Sequence, residues 1–257
     1  MSAELAVPQY ETLLLVLSFV VSALGAFVAL GAARHIRTAE GGWSYFNLAS
    51  AAIALGGVGI WCMHFIGMVA FRIPVRQSYG VMETTISFVA AVVVAGIAFW
   101  YLAAKPFTLQ RLFVAGPIAG LAVAVMHYLG MSGIRFPGYI EWDFPLVVAS
   151  VVIAVVAATA AFWLAFHTRQ VTHRVLASGT MAAAVCSMHY TGMAAASFYC
   201  RTDTGSVWTA GTLSLPMLGE IVFVVALLVS AGLLADQLMV AQLQRQAAKD
   251  AQSTRMT

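Results

Sequence analysis

The residues best suited to chemistry in this sequence are a methionine, a histidine and a second methionine that recur three times. They stand as Met63-His64-Phe65-Ile66-Gly67-Met68, Met126-His127-Tyr128-Leu129-Gly130-Met131 and Met188-His189-Tyr190-Thr191-Gly192-Met193. An imidazole and a thioether four residues apart on a helix share one face and can converge on one atom. At about 100° per residue, the first methionine, the histidine, the glycine and the second methionine of each copy fall on one arc. The glycine puts bare backbone in that arc, where another helix or a bound ion can approach closely. The aromatic residue (Phe65, Tyr128 or Tyr190) falls just off the arc, where it lines the site or packs behind it. Three arcs offer three imidazoles and six thioethers. Thioether is a soft ligand and imidazole a borderline one, so the set suits Cu(I), or Cu(II) with more imidazole, far better than magnesium or calcium. The absence of carboxylates and paired thiolates goes against an ordinary zinc site. Haem is the alternative cofactor, since His and Met are its axial ligands. Plain packing is the third reading, because methionine is a common gap filler.

Elements that position such motifs must suit a chain that is 61% hydrophobic and 9% charged. A soluble domain has about 25% charged residues, and this chain could not cover a water-facing surface. Its apolar residues come instead in long runs, so we expect an all-α polytopic membrane protein. Seven stretches are long enough to span a bilayer core, which takes about 20 helical residues: 12–33, 46–71, 82–104, 109–133, 145–167, 174–199 and 217–239. The histidines are spaced by 63 and then 62 residues, and a fixed period of that size marks a repeated structural unit. Each unit is two helices with the motif on the second. The repeats cover about 12–76, 77–140 and 141–202, a seventh helix follows, and residues 1–11 and 240–257 are an N-terminal outer segment and a polar tail. Three ionisable groups at one membrane depth favour function over packing, because burying them in lipid is costly.

Basic residues set the expected orientation. With the N-terminus outside, the inner segments hold Arg34, Arg37, Lys105, Arg111, Arg169, Arg174, Arg245, Lys249 and Arg255, and the outer ones Arg72, Arg76, Arg135 and Arg201, which together are all 13 basic residues. The positive-inside rule favours this arrangement, with a cytoplasmic C-terminus and the motifs near the outer face. Trp43, Trp100 and Trp163 then mark the inner interface and Trp142 and Trp208 the outer one, leaving Trp61 unexplained. Arg72 and Arg135 are expected to snorkel, Glu83 and Glu220 to favour helix N-termini, and Pro117 to bend the fourth helix. His35, His167 and His173 fall in inner loops. Cys62 and Cys186 are expected to pack, and Cys200 lies near an outer loop where it can oxidise or pair between molecules. There is no basic cluster for nucleic acid and no nucleophile-base arrangement, so no enzyme is expected.

The triplicate motif, the two-helix repeat and the extra helix resemble the MHYT family of bacterial membrane sensor domains, over nearly the whole chain. Only Met188 to Thr191 spells the family's name; the first copy has Phe65 and Ile66, the second has Leu129, and the third has Ser197 where the others have Arg72 and Arg135. The resemblance implies a copper-binding sensor of a diatomic gas (oxygen, carbon monoxide or nitric oxide) in the bacterial inner membrane. It also implies a cytoplasmic output such as a diguanylate cyclase, phosphodiesterase, kinase or regulator, here expected to be a separate protein. On this expectation the gas reaches the metal from the outer side, and the three repeats contribute unequally. A haem-dependent redox protein and a copper carrier or accessory protein remain the alternatives.

The charge pattern yields a topological prediction. Reporter fusions at residues 76, 140 and 205 should be periplasmic, and fusions at 105, 170 and 257 cytoplasmic. A periplasmic C-terminus would rule out the seven-helix arrangement.

Overall fold

In lipid no water is at hand to pair backbone N–H and C=O groups, so apolar stretches of this length fold as helices. The computed structural model describes residues 3–38, 41–167, 170–201 and 211–254, with side chains beyond 236 described only in part. Among these it has seven helices: α1 (Thr12–Ala33), α2 (Tyr45–Ala70), α3 (Val81–Ala103), α4 (Leu109–Ser132), α5 (Phe144–His167), α6 (Val171–Ala194) and α7 (Leu215–Thr254). The first five lie within a residue of expectation. The sixth ends earlier than expected, at Ala194, because the chain turns into a strand there. The seventh does not stop near 239 but continues as helix through the stretch expected to be a tail. Six of the seven are long and apolar enough to cross a membrane; α6 is the exception, with Thr172, His173, Arg174, Ser178 and Thr180 in its first half. Trp208, Arg169 and Arg255 lie outside the described residues.

The helices close into a ring. Within each repeat α1 packs on α2, α3 on α4 and α5 on α6. Between repeats α2 packs on α3, α4 on α5, and α6 returns to α1. This gives the six helices a pseudo-threefold axis, while α7 packs outside the ring against α2 and α1. Small residues let the backbones approach: a side chain at Gly56 would strike the carbonyl of Ala91, and one at Gly25 would strike Gly59. The middle of α2, Ile53–Cys62, is wound as a wide π-type helix, a feature that often marks functional segments. The apolar pattern carried no sign of it. α4 stays helical through Pro117.

At the motif end each repeat is clasped by a pair of short antiparallel strands, where loops were expected. The strand before the first helix pairs with the strand after the motif helix: β2 (Gln9–Tyr10) with β3 (Phe71–Arg72), β4 (Ser78–Gly80) with β5 (Ile134–Arg135), and β6 (Gly138–Trp142) with β7 (Ala196–Cys200). β1 (Glu4–Leu5) and β8 (Thr212–Ser214) extend two of these pairs. Arg72 and Arg135, expected to snorkel, each form an ion pair: Arg72 with Glu11 at 2.8 Å, and Arg135 with Glu83. Both ion pairs tie a post-motif strand to the start of its own repeat. Beneath the strands Phe71, Tyr79 and Phe198 are almost wholly buried. Burial raises the Tyr79 phenol above its ordinary range, and its hydroxyl donates to the Met68 carbonyl at 3.5 Å.

The tight α4–α5 crossing generates a prediction. A Cβ at Gly120 would meet the backbone of Ala154 and Val155, whereas Gly232 on α7 faces open space. Gly120→Val should lower the detergent unfolding midpoint by several degrees, matching an overpacking cost of about 1–3 kcal/mol, and Gly232→Ala should not. Equal midpoints for both would contradict the crossing.

Candidate metal centre

α2, α4 and α6 run in one direction around the axis, and each carries its motif histidine in its last two turns. The ring therefore delivers three imidazoles to one level. Their Nδ1 atoms stand 3.1, 3.1 and 3.2 Å apart. The rings cross pairwise at 83°, 89° and 85°, like the blades of a propeller. All three residues are fully buried.

Protons cannot satisfy this arrangement. A neutral imidazole has one N–H donor and one acceptor nitrogen, so a protonated Nδ1 can donate but no longer accept, and a closed circle of three Nδ1 hydrogen bonds is impossible. Three bare lone pairs at this spacing repel one another. A cation at the centre satisfies all three at once: the point equidistant from the nitrogens is about 1.8 Å from each, near the roughly 2.0–2.1 Å of a metal–imidazole bond. Among the described residues His64, His127 and His189 form the group of metal-ligating side chains that can hold an ion. Three neutral imidazoles suit zinc, copper, iron or nickel.

The rings are held by contacts that pass from each repeat to the next. A Cβ at Gly130 would fall on Nε2 of His64, one at Gly192 on Nε2 of His127, and one at Gly67 on Nε2 of His189. The motif glycine thus makes room for the neighbouring repeat's imidazole and not for the ion itself. Each Nε2 is buried without a hydrogen-bond partner, so steric fit fixes the rings. The following aromatic residue completes the fit: His64–Phe65, His127–Tyr128 and His189–Tyr190 meet edge to face at 4.7, 4.8 and 4.7 Å.

A second cycle lies behind the first. Tyr128 hydrogen-bonds Ser150 at 2.6 Å and Tyr190 hydrogen-bonds Ser18 at 2.8 Å, each serine lying on the first helix of the next repeat. In the first repeat Phe65 has no hydroxyl to offer Ser87. There Trp61, one turn earlier, donates its indole N–H to Ser87 at 3.1 Å and to the Thr84 carbonyl at 3.1 Å. The tryptophan that the interfacial pattern left unexplained thus supplies the hydrogen bond that the missing tyrosine cannot. The expected inequality of the repeats is absent from the nitrogen triangle and appears one layer behind it.

The six methionines Met63, Met68, Met126, Met131, Met188 and Met193 are all buried in the same turns, while the three atoms that face one another in the triad are nitrogens. Cys62, Cys186 and Cys200 are free and buried. Cys200 sits within β7 between β1 and β6 and not in an open loop. His35, His167 and His173 are exposed and do not join the triad; His167 lies against Trp163.

Comparison with known proteins places the chain in a family. The chain matches the MHYT family, described as "Bacterial signalling protein N terminal repeat", over residues 57–115, 120–178 and 183–247. It is 35% identical over 197 residues to the "Bifunctional diguanylate cyclase/cyclic di-GMP phosphodiesterase MucR" of Pseudomonas aeruginosa, a match covering 75% of this chain and 29% of that protein. It is 31% identical to the "Cyclic di-GMP phosphodiesterase NbdA" of the same organism, covering 72% and 24%. It is 28% identical to the "Signaling protein YkoW" of Bacillus subtilis, covering 74% and 24%. The chain thus spans less than a third of the length of these curated relatives. No solved structure matches it.

The glycine–histidine contacts make a prediction. Gly130→Ala should push His64 off the centre and weaken metal binding by about 10–100-fold, the usual cost of losing support for a ligand. Gly179→Ala, which faces open space on α6, should bind as the parent does. Metal titration of both purified variants checks this; equal affinities would mean that the glycine does not set the imidazole's position.

Proposed function

The chain belongs to the MHYT repeat family, and from that premise we propose that it is a membrane sensor unit that holds one copper ion on His64, His127 and His189. The observation that carries this reading is the triangle of three buried Nδ1 atoms that face each other at 3.1–3.2 Å. Copper is favoured over zinc by charge. No carboxylate or thiolate joins the triad among the described residues, so nothing offsets the ion's charge. The cost of burying an ion rises with the square of its charge, so a divalent ion costs about four times as much as Cu(I). The six buried thioethers of the same turns, the residues expected as further ligands, suit a soft ion as well. Haem is disfavoured because its axial ligands approach from opposite faces, whereas these three nitrogens converge on one point.

A copper ion on three imidazoles has room for a further small ligand and can change oxidation state. The residues of this chain supply burial, a fixed donor set and exclusion of water. On this reading the sensed species is a diatomic gas or the redox state. The motif end faces outward and the opposite end of the ring faces the cytoplasm of a bacterial inner membrane, in line with the basic residues. The relatives join this region to cyclic di-GMP enzymes, and an output of that signalling class, reading the helix ends at the cytoplasmic side, is the partner proposed here.

Protein purified from copper-supplemented cells should carry about one copper per chain, and the triple change His64→Ala, His127→Ala, His189→Ala should abolish it. Each single change should weaken binding to a similar degree, because each removes one of three equivalent nitrogens. A Soret band without copper would replace this reading with a haem protein. Transfer of the ion to an acceptor protein would replace it with a carrier.

A further inference from the structure

We infer that the sensed molecule is received in an apolar chamber on the far side of the triad, and that it arrives through the hydrocarbon of the bilayer and not from the water at the motif end. This inference rests on the proposed metal at the triad. The chamber is a cavity of about 40 Å³ lined by α2 to α6. Ile60, Val123 and Val185 line it, and each stands four residues, about one turn, before His64, His127 or His189. Met188, next to His189, lines it as well. The chamber therefore lies about one helical turn behind the three histidines.

Its walls are alanine, valine, leucine, isoleucine, methionine and phenylalanine, with no polar side chain among the lining residues. A cavity of this kind stays dry and takes apolar guests, since a water needs polar partners as well as roughly 10–15 Å³. The volume is enough for a molecule of two heavy atoms and excludes a hydrated ion or a metabolite. The occupant is thus small, uncharged and a poor hydrogen-bonder.

The two ends of the axis are shut. At the motif end Phe71, Tyr79 and Phe198 are buried beneath the paired strands. At the opposite end Phe162 meets Phe99 edge to face at 5.2 Å, and Leu102 beside them is 1% exposed. Only past this plug does the protein open into a polar pocket with Arg34, Arg37 and Lys105 on its walls. The sides are thinner. Val94, Ala122 and Ala158 line the chamber yet are only half-buried, so one layer of small side chains separates it from the lipid-facing surface. Uncharged apolar gases dissolve in hydrocarbon more readily than in water, so the bilayer is both the reservoir and the route.

The test uses xenon, an apolar atom that needs no metal to bind. Xenon-pressurised crystals of the parent should show an atom among Ile60, Val123, Val185 and Met188, with or without copper loaded. Ala157→Leu on α5 fills the chamber; it should abolish the xenon atom and leave copper content unchanged. Carbon monoxide binding to the reduced copper form in nanodiscs should slow by tenfold or more in that variant. The milder Ala157→Val should give an intermediate rate, which keeps the test alive if the leucine variant misfolds. A chamber without xenon, or a carbon monoxide rate that neither variant changes, overturns the inference. Xenon in the chamber of a protein that takes up no copper would remove the metal reading, and with it the sensing role given to the chamber. Copper bound to a protein with an empty chamber would leave the metal reading standing and remove this one.

Discussion

Three buried imidazole nitrogens held 3.1–3.2 Å from one another are the constraint on which this molecule depends. Without a cation the arrangement leaves like dipoles opposed and buried polar atoms unpaired, at about 1–3 kcal/mol for each unsatisfied group. The protein must therefore hold the rings by force of shape. It does so with a glycine in front of each Nε2 and an aromatic edge beside each ring. Closing six helices into a ring is what lets the last repeat complete the contact with the first.

Symmetry in such a ring is kept where chemistry needs it and relaxed elsewhere. The nitrogen triangle is nearly equilateral although the sequences around it differ. Phe65 breaks the tyrosine–serine pattern, and Trp61 restores a donor to Ser87 from one turn away. The cost of leaving a buried serine without its partner acts on the position of the donor atom, not on the identity of the residue that brings it. α7 breaks the symmetry in another way: it covers α2 and makes that helix the most enclosed of the candidate spans.

Much of this was legible in the residues. Apolar run lengths place α1 to α5 within a residue, because backbone pairing in lipid leaves a segment no alternative to helix. The histidine period places His64, His127 and His189 at one level. What the period does not carry is which neighbour each arc faces. Gly67 reads as room for another helix or an ion, and the ring closure that brings His189 there is a long-range fact. Local propensity is equally silent about the clasping strands: each is two to five residues long and exists only because its partner arrives from the other end of the repeat. Trp61 was conspicuous for lying at no interface, but its partner Ser87 lies on another helix and in the next repeat. The chamber behind the triad is a packing deficit shared by five helices, and none of the five shows it alone.

The cyclic hold on the imidazoles also orders events during synthesis. His64 rests on Gly130 and His127 on Gly192, but His189 rests on Gly67, more than a hundred residues back along the chain. Until α6 has entered the bilayer and returned to α1, the first histidine has no third nitrogen opposite it and the last has no seat. A ribosome that has released only two repeats has made four helices and no site. On the proposed reading metal capture is a late event in the life of the nascent protein, and an ion bound to the finished molecule would report that the ring has closed.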